Sequence, residues 1–204
     1  MGIHGFLAPA TRHTAGGGAA ESFLSSVGRP IEVWRGAAWQ RARGWGESRD
    51  FASIGRRGRV IETADSFTLP RVFPSLRDVD FWVDPNTRGS GPLLALGSRV
   101  PAVVPLLSMC VRYAGPLAKV LGRAAGVLAY EIEGGRRDRA TIVFSGPNAF
   151  VMAAVPAALA AGRLAAGKID RVGLVPPDAL ACGDALPDAL EQRGIRMETS
   201  AYER

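Results

Sequence analysis

The chain is poor in lysine, cysteine and histidine, and each shortage narrows what it can do. Of its 25 basic residues only Lys119 and Lys168 are lysine; the others are arginines scattered along 204 residues. The densest basic groups, "GRRGR" (55–59) and "GRRDR" (135–139), are five residues long and have no interleaved aromatic side chains. A nucleic-acid surface needs a longer basic face or a recognisable module. The net charge of +6 therefore reads as solvated loops, and no nucleic-acid partner is expected. The two cysteines, Cys110 in "LLSMCV" and Cys182 in "LACGDA", lack CxxC spacing. They support neither a zinc site nor a disulfide scaffold, so no metal is expected, and Cys110 reads as a buried thiol. There is no HExxH and no serine elbow.

Long apolar runs are also missing. Residues 100–111 are uncharged but too short to span a bilayer. Residues 140–162 are long enough, but "SGPN" within them is turn chemistry that divides the run into a strand and a helix. No membrane span is expected, while peripheral contact with a membrane stays open. The start carries no basic segment followed by a long apolar one, so no signal peptide is expected and a cytoplasmic location is the simplest reading.

What is present is a hydrophobic content of 47%, enough for a folded core, and a length that suits a single domain over 1–204 with a helical insertion at about 91–126. Residues 3–13 read as a strand, "TAGGG" as a turn, and 19–27 as a helix ending at Gly28. "IEVWRGAAWQRA" reads as a hairpin turning at Arg35-Gly36. Residues 44–59 read as a polar, glycine-rich loop, and "RVIETADSFTLPRVFPSL" as extended pieces broken by Pro70 and Pro74. "RDVDFWV" is a strand. Prolines divide 91–126 into two or three helices. "GVLAYEIEG" and "RATIVFSG" form a second hairpin, followed by a long Ala-rich helix, the tail "RVGLVPPDAL", the helix "DALPDALEQRG" and the strand "IRMETSA". The elements do not alternate strand with helix. The expected class is α+β: an antiparallel or mixed twisted sheet with helices packed on one face and no Rossmann fold.

The triple glycine at 16–18 invites a dinucleotide reading, but Glu21 stands where G-x-G-x-x-G needs its third glycine, and the next extended segment is a hairpin. "GWGESR" and "GSGPLL" fail likewise, and no G-x-x-x-x-G-K-[ST] occurs. No nicotinamide or nucleotide cofactor is expected. The glycines instead allow a tight turn, or let a ligand approach the start of helix 19–27 near Gly17.

The stretches "HTAGGGAAESFLSSVGRP" and "TLPRVFPSLRDVDFWV", with "RATIVFSGPNAF", "GKIDRVGLVPPDAL" and "LPDALEQRGI", resemble the second, substrate-binding domain of saccharopine dehydrogenase-like oxidoreductases over about residues 10–196. Members of that family place an NAD(P)-binding Rossmann domain before this region and often dimerise through its sheet. The resemblance therefore implies a small-molecule substrate, a homodimer and a possible separate Rossmann subunit. Three functions follow from it. The chain is a cofactor-independent cyclase or isomerase of an apolar small molecule in specialised metabolism; or the substrate-binding half of a split NAD(P)H-dependent reductase; or a non-catalytic binding and dimerisation module.

Candidate catalytic residues are His13, at the end of the first strand beside the glycine turn; Glu21, a general base near it or else a carboxylate complementing the helix dipole; and Tyr130, which faces opposite to Glu131 and Glu133 and lines the pocket if those two meet solvent. Candidate substrate-binding residues are Arg12, Thr14, Gly17, Ser22, Trp39 and Trp82, the polar ones competing with capping roles and the tryptophans with plain packing. His4 reads as an exposed residue near the terminus. Asp78 and Asp80 alternate onto one face, as an acid–base pair or, more ordinarily, a solvated edge.

Overall fold

The computed structural model describes residues 1–14, 21, 24–87, 89–113, 120–134, 138–147, 149–170, 173, 180 and 185–202. Nine strands form one mixed, mostly antiparallel sheet: β1 (Gly2–Ala8), β2 (Pro30–Arg35), β3 (Ala38–Arg43), β4 (Ser48–Phe51), β5 (Arg56–Ile61), β6 (Asp78–Val83), β7 (Gly126–Glu133), β8 (Arg139–Gly146) and β9 (Arg196–Tyr202). The helices are α1 (Thr11–Thr14), α2 (Asp65–Val72), α3 (Ser90–Arg99), α4 (Val104–Tyr113), α5 (Ala149–Ala165) and α6 (Ala185–Glu191), with a 3₁₀ turn at Pro101–Val103. The α+β class expected from the order of elements is the one observed.

The main path of the sheet runs β3-β2-β6-β1-β7-β8-β9. Its parallel pair is β1 with β6; the other ladders are antiparallel. The sheet forks at β6. One edge of that strand takes β2 at Val79 and β5 at Phe81–Val83, so both hairpins leave from the same side.

Strand alternation gives the sheet two unlike faces. On one, Phe6, Ala8, Val33, Phe51, Val60, Trp82 and Ala129 are buried together, and the Phe6 and Phe51 rings lie 5.0 Å apart as β4 crosses over β1. The helices cover the other face. Leu94 of α3 joins Phe81, Val83 and Ile61, while Met152 and Val155 of α5 join Leu190 of α6, Leu128 and Phe144. The helix face therefore holds two of the three apolar clusters, and the hairpin face holds the third.

Four readings of the chain differ from the structure, the last being the turn of the first hairpin. Residues 44–59 are not a loop: they contain β4 and most of the β4–β5 hairpin, whose inward residues are Phe51, Gly58 and Val60. Residues 65–72 are helical despite Pro70, because a proline in the last turn loses a single helix bond, and Ser66 is anchored by its Oγ donating to Val79 O at 3.3 Å. The first strand stops at Ala8, and residues 11–14 form a helical turn, so His13 does not end a strand. The first hairpin turns at Gly36-Ala37, both at positive φ (63° and 61°), which matches the right-handed twist of its strands. Of helix 19–27, residues 19, 20, 22 and 23 lie outside the described residues; Leu24 and Val27 are buried, and Gly28 has φ 71° as a helix-ending glycine does.

Candidate functional site

Register across the sheet builds the site before any side chain is considered. His4 on β1 is opposite Asp80 on β6 and Glu131 on β7, and Glu131 is opposite Thr141 on β8. Directly opposed residues share a face. Asp80, His4, Glu131 and Thr141 therefore form one polar row across four strands, on the hairpin face. The next row towards the start of β1 holds Asp78, Gly2, Glu133 and Arg139; the row on the other side holds Trp82, Phe6, Ala129 and Val143. A polar row and a charged row thus lie directly beside the apolar cluster.

His4 and Asp80 are the centre. Both are 5% exposed, and Nδ1 of His4 lies 2.7 Å from Oδ1 of Asp80. The same oxygen accepts the Trp82 indole N–H at 2.6 Å, and the other accepts Arg35 Nε at 3.2 Å. Burial pushes the Asp80 carboxyl up, but the hydrogen bonds from His4 and Trp82, with the charges of His4 and Arg35, outweigh it and hold Asp80 below the usual carboxylate range. In the neutral imidazole, Nδ1–H donates to the ionised Asp80, which sets the tautomer and places the lone pair on Nε2. Nε2 points towards the gap left by Gly2, where a Cβ would stand 3.2 Å from it, and lies 3.8 Å from Oε2 of Glu133.

The β4–β5 hairpin closes the row from above. Arg49 donates to Glu133 at 3.0 Å and to Glu131 at 3.4 Å, and Ser53 Oγ donates to Glu131 at 2.8 Å. Arg139 donates to Glu133 at 2.9 Å. Burial raises the Glu133 carboxyl; the charges of His4 and Arg49, the Arg49 hydrogen bond and the Arg139 charge outweigh it, and Glu133 is held low. Arg35 bridges Asp80 to Glu47, which accepts from it at 2.8 Å, and lies over the Trp82 ring at 5.7 Å. Between these walls is an open cleft of 360 Å³ that His4, Arg35, Glu47, Arg49, Asp80 and Trp82 help to line. Thr141 Oγ1, at the far end of the row, is buried with no hydrogen-bond partner among the described residues.

The residues expected from sequence distribute differently. Trp82 is in the cleft. Trp39 is on the edge strand, 44% exposed and stacked on Phe67 at 4.6 Å, on the helix face with Trp34. Tyr130 is on the helix face too, packed edge-on to Phe81 and hydrogen-bonded to Asp65. Glu131 does not meet solvent, as the Tyr130 reading required, but is 2% exposed. Burial, then the charge and hydrogen bond of Asp65, push the Tyr130 hydroxyl up to about 12; burial raises Asp65, and the Tyr130 bond draws it back part of the way. Arg12 and Glu21 are exposed, and His13 and Thr14 are in the α1 turn. Gly17 and Ser22 lie outside the described residues. His4 is the residue that sequence reasoning set aside. Its place near the terminus suggests exposure, yet β1 is paired on both sides and is a central strand. Asp80 is buried, not part of a solvated edge. The available signal was the alternation of His4 with Phe6 and Ala8, which puts a histidine on an apolar face.

Fold and cleft together define an α+β protein with a buried His–Asp pair at the floor of a charged cleft. No protein-family model matches the chain, and no curated protein matches it.

Proposed function

We propose that the chain is a small-molecule isomerase or cyclase that works by proton transfer at His4, without a nicotinamide cofactor. The observation that carries this reading is the 2.7 Å contact between His4 and Asp80, two residues that both line the cleft. A histidine held in one tautomer by a buried carboxylate is arranged as a general base, and the imidazolium it becomes is stabilised by that carboxylate. Nε2 takes a proton from a carbon or hydroxyl of the bound molecule and returns it to another position. Arg35 and Arg49 stand where charge that grows on the substrate would be met by a guanidinium. The Trp82 ring backs the cleft, buried in the apolar cluster with the Arg35 guanidinium over it. The substrate therefore carries a polar reacting end that these charged groups can meet. The resemblance to a substrate-binding domain of oxidoreductases supports small-molecule chemistry, and the lack of a dinucleotide fingerprint supports chemistry without hydride transfer.

Solvent-deuterium exchange tests this. Purified protein is mixed with a panel of 2-oxo acids, cyclic ketones and hydroxy ketones in D₂O, with and without NADPH, and exchange at carbon is followed by NMR. The expected result is nucleotide-independent exchange in at least one compound, reduced about 10²- to 10⁴-fold in His4→Gln. Turnover only with NADPH, or exchange that His4→Gln leaves unchanged, overturns the proposal.

A further inference from the structure

The exposed apolar side chains are not evenly spread. Twelve large hydrophobic residues are exposed among the described residues, and six of them, Leu93, Leu96, Val100, Leu106, Met109 and Val120, fall in one stretch of the helical excursion. On α3 the buried residues are Leu94, Gly97 and Ser98, so Leu93 and Leu96, at i and i+3, lie on another face, and Val100 is exposed at the helix end. On α4, Val104 packs with the Leu94 cluster, while Leu106 and Met109 point away from it. The two helices cover the core with one side and present an apolar side outward.

Among the described residues, the charges placed beside this face are cations. From Pro85 to Tyr130 the sequence contains five cations (Arg88, Arg99, Arg112, Lys119 and Arg123) and no carboxylate. At the C-terminal end of α3 the fold adds cations from elsewhere: Arg43 reaches Ser98 O at 3.3 Å, and Arg59 lies close enough to Arg99 to feel its charge. Among the described residues none of Arg43, Arg59 and Arg99 is ion-paired, although Arg35, Arg49, Arg56, Arg57 and Arg139 all are. Desolvation first, then the positive charges of Arg99 and Arg57, lower the Arg59 pKa.

We propose that the outer face of α3 and α4 docks on a bilayer that contains anionic phospholipid, with the apolar side chains in the interface and Arg43, Arg59 and Arg99 at the phosphates. An apolar stripe flanked by cations alone is the pattern of an interfacial helix, and neither helix needs to cross the membrane. The docking face belongs to the helix side of the sheet and the His4 cleft to the hairpin side. A docked molecule therefore keeps the cleft open to the aqueous phase.

The test is flotation of the full chain with phosphatidylcholine vesicles, with and without phosphatidylglycerol, at low and high salt. The protein is expected to float with the anionic vesicles and to be released by salt. Arg99→Ala, an exposed change, weakens partition about fivefold, and Leu96→Asp with Leu106→Asp abolishes it while the circular dichroism of both variants stays that of the parent. Equal binding to pure phosphatidylcholine, binding to neither vesicle, or insensitivity to both variants overturns the proposal. A protein dimer in sedimentation equilibrium that Leu96→Asp with Leu106→Asp dissociates also overturns it, because the face would then serve a second copy.

Discussion

Nδ1 of His4 and Oδ1 of Asp80 meet at 2.7 Å across a parallel strand pair, and they are separated by 76 positions in the chain. Neither residue has its function alone. The carboxylate fixes the ring, and the ring helps to keep the carboxylate ionised where burial would protonate it.

The first prediction concerns this pair. Asp80→Asn replaces the acceptor of Nδ1–H by a group that tolerates either tautomer. Proton exchange is expected to fall about 10²-fold or more, nearly as far as in His4→Gln, and the double variant is expected to be no worse than the poorer single one. The kinetics of the three variants, each with an unchanged far-ultraviolet spectrum, decide it.

The second concerns pH. Asp80 and Glu133 titrate below their unfolded values. At about pH 4 the unfolded chain binds protons on these groups that the folded protein does not, so stability rises with pH there. It is fully present above about pH 5 and is lost as pH falls through the depressed folded values. Urea unfolding across this window should show a shallower slope in Asp80→Asn with Glu133→Gln. The slope does not vanish, because Asp50 beside Arg57 is also held low.

The third concerns Tyr130. Its hydroxyl is held at about 12, against about 10 in an unfolded chain. One of the three tyrosines should therefore be absent from the tyrosinate absorbance at about pH 11. The stability this burial and hydrogen bond contribute is present below about pH 10 and is lost as pH rises through the folded value. Tyr130→Phe removes the missing step.

The fourth concerns Thr141, whose Oγ1 is buried without a partner among the described residues. Replacing a buried hydroxyl that makes no bond removes a desolvation cost. Thr141→Val should be neutral or stabilising by up to about 1 kcal/mol, measured by chemical denaturation, where a buried bonded threonine would be destabilised.

The fifth concerns Asn86, buried and held at φ 55°. Its Nδ2 donates to Pro9 O at 2.7 Å and Ala125 O at 2.8 Å, and Arg56 donates to its Oδ1 at 3.1 Å. Asn86→Ala leaves two carbonyls without their donor and should cost about 3 kcal/mol, read as a lowered urea midpoint.

Much of the fold was legible where strands carry a regular pattern. "RDVDFWV", "GVLAYEIE" and "RATIVFS" are long, rich in β-branched and aromatic residues, and bounded by turns, and they became β6, β7 and β8. β4 and β5 were not legible because "SRDF" and "RRGRVI" spend arginine and glycine at positions that look outward or pass close to other backbone. α2 was hidden by Pro70, whose cost as a breaker depends on how near it stands to the helix end. The site was less legible than the fold. The alternation of Asp78 and Asp80 was visible, but their neighbours were not, since register across a parallel pair depends on packing of the whole sheet. His4 could not be told from a solvated terminal residue until β1 was seen between β6 and β7.

The parallel pairing of the first strand with the sixth has a kinetic corollary. Both hairpins close over short loops, while β1 and β6 must enclose everything between them before they touch, and ring closure of that length is entropically slow. The Trp34 and Trp39 rings, 5.2 Å apart across the β2–β3 hairpin, should change their fluorescence early in refolding. The imidazole–carboxylate couple should assemble with the last cooperative step, so that recovery of turnover lags recovery of fluorescence.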